Sequence, residues 1–199
     1  VADRTNQRIE DLIPQGVITP LTRLVLTNAI YYLADWLYMF DKSLTTDEPF
    51  TKLDNSTVTV PLMQLGENDE KVKLLYSRID SVRAVDFPYR GGRLCMTVML
   101  PDPGEYTAFE QSLTVEKIDQ IIVSMDTTEL PPVRLPKFSF TTSSISLVPV
   151  LKSLGMTDAF DQDRADFSGI DGRKDLVVSD VIHKAFIAVD EQGTEAAAA

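Results

Sequence analysis

The stretch VIHKAFIAVDEQGTEAAAA, from Val181 to Ala199, carries the most informative pattern in the chain. In its first half, alternate side chains are apolar except for one imidazole, in the row Val181, His183, Ala185, Ile187 and Val189. Because successive side chains point to opposite faces of a strand, this row predicts a strand with one buried face. A buried polar group without a hydrogen-bond partner costs about 1–3 kcal/mol, so His183 is expected to have one.

The second half of this stretch, from Gly193 to Ala199, is ambiguous by composition. Thr194 is a good helix N-cap residue, and the EAAAA that follows favours a helix because Ala is the best helix former. The alternative is a mobile loop whose side chains are small enough to slip between existing strands. Gly193 would then supply the backbone freedom that reverses the chain. Composition alone favours the helix.

A second apolar run, TRLVLTNAIYYLADW from Thr22 to Trp36, is also interrupted by one polar residue. It is apolar on both faces, which predicts a central strand covered on both sides. One of its rows contains Asn28 among Leu and Ile side chains. The simplest interpretation is that the two strands are near neighbours and that Asn28 and His183 share one polar network. The alternative is two core residues with separate partners.

The remaining segments predict an α+β protein built around one large antiparallel or mixed sheet. Short strands are predicted at Thr57 to Met63, Lys71 to Ile79, Ser81 to Tyr89, Gly92 to Pro101 and within Pro132 to Ser144. Helical patterns occur in the opening stretch Val1 to Ile13 and in the segments EYTAFEQSL, VEKIDQIIVSM and SLVPVLKSLGM.

The composition argues against several classes of function. The 19 Lys and Arg residues against 30 Asp and Glu residues give a net charge of −11, whereas nucleic-acid binding requires a basic surface. No apolar run reaches the ~18 residues of a membrane span, so no membrane partner is expected. A single cysteine, Cys95, cannot form an internal disulfide, and its apolar neighbours predict an inert core residue.

Metal and catalytic chemistry are also poorly supported. One cysteine and one histidine cannot form a Cys/His zinc site. The acidic segment DQDRADFSGIDG has Asp166 where a calcium loop requires Gly and Gly172 where it requires Glu. The only histidine, His183, lies in an apolar strand rather than in a loop at a strand end. We therefore expect no cofactor, no metal and no enzymatic activity.

With these segments in view, the chain resembles the serpins, a family of serine protease inhibitors. NAIYYLADW, LPKF (Leu135 to Phe138), DFSGI (Asp166 to Ile170) and the stretch from Val181 to Ala199 match family motifs in order. Leu33-Ala34 departs from the Lys-Gly that the family usually carries. The resemblance implies that residues 1–199 are part of a single serpin domain that is incomplete without the segments before Val1 and after Ala199, and it slightly favours an extracellular or periplasmic location.

The resemblance implies a suicide inhibitor. The target protease would cleave a loop beyond Ala199 and form a covalent acyl-enzyme, and the loop would then insert as a new strand between the strands of Asn28 and His183. Asn28 and His183 match the family's shutter positions, and Trp36, Thr45, Lys137 and Glu191 match its breach. The reactive-loop hinge, within residues 190–199, comprises Gly193, Thr194, Glu195, Ala196, Ala197, Ala198 and Ala199. The alternative is a non-inhibitory serpin that acts as a binding or chaperone-like protein.

Overall fold

The computed structural model describes residues 1–18, 29–66, 72–129 and 132–199. Its internal contacts group the chain into two compact units. The first comprises Val1–Tyr32, Ser139–Ile187 and Glu195–Ala199, and the second comprises Leu33–Phe138 and Ala188–Thr194. That both belong to one domain stays a prediction from the resemblance.

The described residues form thirteen strands, and the α+β serpin-like class is confirmed. The strands are β1 (Ile30–Asp35), β2 (Thr46–Thr51), β3 (Thr57–Leu65), β4 (Lys73–Ile79), β5 (Val82–Pro88), β6 (Cys95–Pro101), β7 (Asp126–Glu129), β8 (Val133–Pro136), β9 (Phe138–Thr141), β10 (Ile145–Ser146), β11 (Ile182–His183), β12 (Ala185–Val189) and β13 (Gly193–Ala198).

The α-helices in the described residues are short. They are α1 (Tyr106–Gln111), α2 (Val115–Val123), α3 (Val148–Ser153) and α4 (Ser168–Asp171). Thr114 caps α2 by accepting a hydrogen bond from the Lys117 amide, and Pro149 lies in the first turn of α3, where its missing N–H costs nothing. None of the helices in the described ranges combines the length and apolarity needed to cross a membrane.

The strands form several sheets in the described part of the chain. The strand order β1-β13-β12-β9 makes a four-stranded sheet, and β10 pairs with β11. In the second unit, β2-β3-β8 and β6-β5-β4-β7 form two further sheets. The strand pairs of these two sheets are antiparallel, with Leu62 opposite Pro136 between β3 and β8 and Val85 opposite Val98 between β5 and β6.

Part of the core of the second unit lies between β5 and α2. Val82 and Ala84 on β5 pack with Ile121 on α2, and all three are buried. Val82 and Ala84 are two positions apart and therefore share a face of the strand. The same core holds a group of partly buried apolar residues, namely Ile79, Met99, Phe109 and Met125.

The helix predicted from Val1 to Ile13 does not form. The structure has a 3₁₀ helix over Ala2–Thr5, and Asn6, Gln7 and Asp11 follow with positive φ. The Thr5 hydroxyl donates hydrogen bonds to the backbone carbonyls of Val1 and Ala2. Asn6 ends the 3₁₀ helix at φ 50°, a left-handed conformation that Asn tolerates better than most residues. The predicted stripe still contributes to packing, because Ile9 and Leu12 are buried.

Candidate functional site

The hinge residues Gly193–Ala198 form β13, which lies between β1 and β12 in the strand order. The helix that composition favours is therefore wrong. At the end of β13, Ala199 and Lys184 exchange both backbone hydrogen bonds, at N–O distances of 2.8 and 2.9 Å. These backbone hydrogen bonds with neighbouring strands outweigh the local helix propensity of the alanine run. Side chains larger than alanine would have to fit among those strands.

Gly193 is needed for space rather than for reversal of the chain. Its φ lies outside the left-handed region, so the predicted role of backbone freedom is wrong. A Cβ atom at this position would overlap the carbonyl oxygen of Ala34 and lie 2.9 Å from the Cα of Asp35. The strand approaches β1 so closely at this point that only glycine fits without movement of the backbone.

Glu191 lies at the centre of the predicted breach, and only 4% of the residue is exposed to solvent. Lys137 Nζ lies 2.7 Å from one carboxylate oxygen, and the Thr45 hydroxyl donates to the other at 3.0 Å. The Lys137 amide donates to Pro61 O at 2.9 Å, which fixes this residue between β8 and β9. Burial of an unpaired carboxylate costs free energy, and here a cation and a hydroxyl each donate a hydrogen bond to one of its two oxygens.

Burial and the partners of Glu191 act in opposite directions on its acidity. Burial is the largest influence and acts to raise the pKa of Glu191. The hydrogen bonds from Lys137, from the Glu191 backbone amide and from Thr45 favour the charged form. Their combined effect prevails, so the pKa of Glu191 lies below its ordinary value.

Trp36 holds the segment that leads into β13. Its indole N–H donates to Asp190 O at 2.9 Å, and its backbone amide donates to Gln192 O at 2.8 Å. The Phe40 amide donates to Glu191 O at 3.0 Å. The four predicted breach residues are thus brought together around residues 190–192, whereas their role in loop entry stays a prediction.

Tyr89 belongs to this site and was not predicted from the sequence. Its ring stacks on Trp36 with 4.6 Å between centroids and 11° between planes, and its hydroxyl donates to Thr194 Oγ1 at 2.8 Å. Both hydroxyls are buried, so this hydrogen bond satisfies Thr194 within the protein. The only sequence signal is an aromatic residue at the end of a predicted strand, just before Arg90-Gly91-Gly92, which does not indicate its partner.

The predicted shutter is described in part. His183 is half-buried on β11 and lies opposite Ile145 of β10. The strand predicted to run through His183 is interrupted at Lys184, so His183 and Ala185 belong to different strands. Asn28 lies outside the described residues, and the network of Asn28 with His183 therefore stays a prediction.

Two further expectations concern isolated residues. Cys95 is exposed, so its assignment to the core was wrong. It opens β6, an edge strand of its sheet, and its thiol donates to Asp86 at 3.4 Å. Within the described ranges, no group of three or more His, Cys, Asp or Glu residues is arranged to hold a metal ion.

Comparison with known proteins decides the family. The family model described as serpin (serine protease inhibitor) matches residues 1–199. The chain belongs to the serpin family. As a serpin, it is 36% identical over 199 residues to an uncharacterized serpin-like protein of Methanosarcina acetivorans, covering 100% of this chain and 45% of that protein. It is 38% identical over 202 residues to mouse antithrombin-III, covering 100% of this chain and 42% of that protein.

The solved structures agree with this assignment. The serpin chain superposes on the structure titled Cleaved Serpin 42Da with a TM-score of 0.83 and 35% identity, covering 99% of this chain and 52% of that one. The chain therefore spans about half the length of the relatives that it matches.

Proposed function

We propose that the protein to which this chain belongs inhibits serine or cysteine proteases as a suicide substrate. The observation that carries the proposal is the place of the hinge strand β13 between β1 and β12. A strand in that position has a neighbour on each edge, so its backbone N–H and C=O groups find partners that an exposed loop would find only in water. The family membership and the small side chains of residues 196–199 support the same mechanism.

In the proposed reaction the protease supplies the catalytic groups and this protein supplies the substrate loop. The protease nucleophile, a Ser hydroxyl or Cys thiol, would attack a carbonyl carbon in the loop beyond Ala199 and form an ester or thioester. The amine of the following residue would leave with the proton taken from the nucleophile. Insertion of the hinge then competes with hydrolysis of the acyl-enzyme. Because the protease carries out the bond cleavage, the proposed mechanism asks for no catalytic residue or cofactor in this protein.

The buried environment of Thr194 gives the proposal a direct test. Its hydroxyl accepts a hydrogen bond from Tyr89 at 2.8 Å, and the residue is buried. Thr194→Arg would place a long charged side chain in this buried position without a partner for its charge, which costs a large amount of free energy. The full-length variant is expected to be cleaved by the protease without retaining it.

The experiment uses the full-length protein with trypsin, chymotrypsin, elastase and papain as probe proteases. The wild type is expected to form a complex with at least one of them that survives denaturing electrophoresis, and Thr194→Arg is expected to give only cleaved product. Thr157→Arg, at an exposed position, serves as the matched control and should retain the complex. Complex formation by Thr194→Arg at the wild-type stoichiometry would refute hinge insertion.

The non-inhibitory alternative predicts a different result. A binding or chaperone-like member would form no covalent complex with any probe protease, and its loop-cleaved form would unfold at nearly the same temperature as the intact form. An inhibitor is expected to gain substantial thermal stability on cleavage, because the inserted strand adds backbone hydrogen bonds and buries alternate side chains.

A further inference from the structure

Glu195 is the one long side chain in the strand Gly193–Ala198, and its carboxylate is held by a set of donors. Arg8 contacts both oxygens, with Nε 2.8 Å from Oε1 and Nη2 2.6 Å from Oε2. The Tyr31 hydroxyl donates to Oε1 at 2.7 Å, and Asn6 Nδ2 lies 3.5 Å from the same atom. The Glu195 side chain is 15% exposed, so these donors replace most of its water.

None of these donors belongs to β13. Arg8 and Asn6 lie in the N-terminal segment, and Tyr31 lies on β1. Two-point contact between a guanidinium and a carboxylate is directional and stronger than a neutral hydrogen bond. The site therefore has the geometry of a receptor for a carboxylate that arrives on a separate strand.

Arg8 is held in place by contacts that do not involve Glu195. Its guanidinium carbon lies 5.0 Å from the centroid of the Phe186 ring on β12, within the range of a cation–π interaction. The adjacent residue Ile9 is fully buried, and its amide donates to the Thr5 hydroxyl at 3.1 Å. These contacts orient Arg8 toward the position that Glu195 occupies.

The rest of the N-terminal segment is fastened to neighbouring strands. Lys184 Nζ donates to Glu10 O at 2.6 Å, and the Ser144 hydroxyl donates to Leu12 O at 3.0 Å. Two backbone carbonyls on the C-terminal side of Arg8 are thus fixed by side chains from other parts of the chain. An arginine on a segment held at several points loses less conformational entropy when it binds a carboxylate.

The acidity of Glu195 agrees with this geometry. The hydrogen bond from Arg8 is the largest influence and lowers the pKa of Glu195 to about 2, against the opposing effect of burial. The Tyr31 hydroxyl and the positive charge of Arg8 act in the same direction as the Arg8 hydrogen bond. The carboxylate is therefore charged in the inserted strand throughout the physiological pH range.

We propose that Arg8 and Tyr31 form a carboxylate-binding site that recognises Glu195 when the hinge lies between β1 and β12, and so stabilises the inserted form. The proposal rests on the proposed function and adds a rule for the hinge sequence. Ala197 is buried and leaves no room for a larger side chain without rearrangement, whereas position 195 favours a carboxylate. Arg8 and Tyr31 are positioning residues, because they act on the inserted strand and not on the protease.

A double-mutant cycle on the full-length protein tests the site. The proteins are the wild type, Arg8→Gln, Glu195→Gln and the double variant, each measured intact and after loop cleavage by the probe protease papain. Arg8→Gln and Glu195→Gln are each expected to lower the unfolding midpoint of the cleaved form by roughly 2–4 °C, with less than about 1 °C of change in the intact form. The double variant should lose little more than either single variant in the cleaved form.

Two further variants keep the test independent of gross folding defects. Tyr31→Phe removes one hydroxyl and should reduce the cleavage-induced gain by less than Arg8→Gln does. Arg4→Gln, at an exposed position four residues before Arg8, should behave as the wild type in both forms.

The outcomes separate this site from the proposed function. Wild-type protein that gains stability on cleavage, together with additive effects of Arg8→Gln and Glu195→Gln in the cleaved form, would overturn the site and leave hinge insertion intact. Equal coupling in the intact and cleaved forms would also overturn it, because recognition would then not depend on insertion. Wild-type protein that gains no stability on cleavage would overturn both proposals.

Discussion

Replacement of Gly193 by alanine should selectively destabilise the form in which the hinge is a strand. The new Cβ would overlap the Ala34 carbonyl oxygen and lie 2.9 Å from the Asp35 Cα, whereas carbon atoms prefer roughly 3.5–4.0 Å. The strand must therefore move, and overpacking of this kind costs about 1–3 kcal/mol. The movement also strains the hydrogen bond from the Trp36 amide to Gln192 O, which contributes about 0.5–1.5 kcal/mol.

The two contributions amount to about 1.5–4.5 kcal/mol, which is roughly a 10- to 1,000-fold change in an equilibrium constant. The assay is urea unfolding of the full-length protein, intact and loop-cleaved, with Gly169→Ala as the matched control. Gly169 lies in α4, and nothing lies within 4 Å of a Cβ at that position. If Gly193→Ala keeps the whole stability gain of the cleaved wild type, the steric argument is refuted.

Other predictions follow from single contacts. Lys137→Met leaves the buried Glu191 carboxylate without its cation and should lower the free energy of unfolding in urea by about 1–3 kcal/mol. This is less than for a fully buried pair, because the Lys137 side chain is 41% exposed. An unchanged unfolding midpoint would contradict this. Since the pKa of Glu195 falls from 4.5 to about 2, its contribution is complete above about pH 4.5 and lost as pH falls toward 2. The midpoint difference between cleaved wild type and Glu195→Gln should shrink over that window, and a constant difference would speak against the linkage. Although the residue is exposed, partial burial of its sulfur atom and a hydrogen bond to Asp86 raise the pKa of Cys95. Iodoacetamide should therefore modify this thiol more slowly than free cysteine at pH 8, and an equal rate would disprove the effect.

The strands of the second unit could be predicted from the sequence because their signal is local. The segment from Ser81 to Tyr89 is predicted as a short strand, and β5 forms within it at Val82–Pro88. The opening helix could not be predicted correctly, because a period of apolar residues does not reveal that Asn6 and Asp11 adopt positive φ. The break at Lys184 was equally hidden, since Lys184 exchanges both backbone hydrogen bonds with Ala199, a pairing that no local pattern around His183 indicates.

The site was only partly accessible from the sequence. Residues 45, 137 and 191 are brought together by the fold, and only the resemblance to a family connected them in advance. The roles of Tyr89 and Arg8 could not be read from a local motif, because their partners Thr194 and Glu195 lie more than 100 residues away in the chain. Cys95 was assigned to the core because its neighbours are apolar, but it opens an edge strand and is exposed there, which the local sequence does not reveal.

The hinge is not a uniform run of small residues, because each of its first three positions meets a different constraint. Gly193 faces the backbone of β1, Thr194 meets the Tyr89 hydroxyl, and Glu195 meets the donors of Arg8 and Tyr31. Thr194 and Glu195 are consecutive on a strand and therefore point to opposite faces. A long charged side chain in an inserting strand would be expected to oppose insertion, yet at position 195 the face supplies a guanidinium and a hydroxyl in place of water. In the proposed inserted strand, the small residues 196–198 thus follow one charged residue, Glu195, whose carboxylate is held by Arg8 and Tyr31.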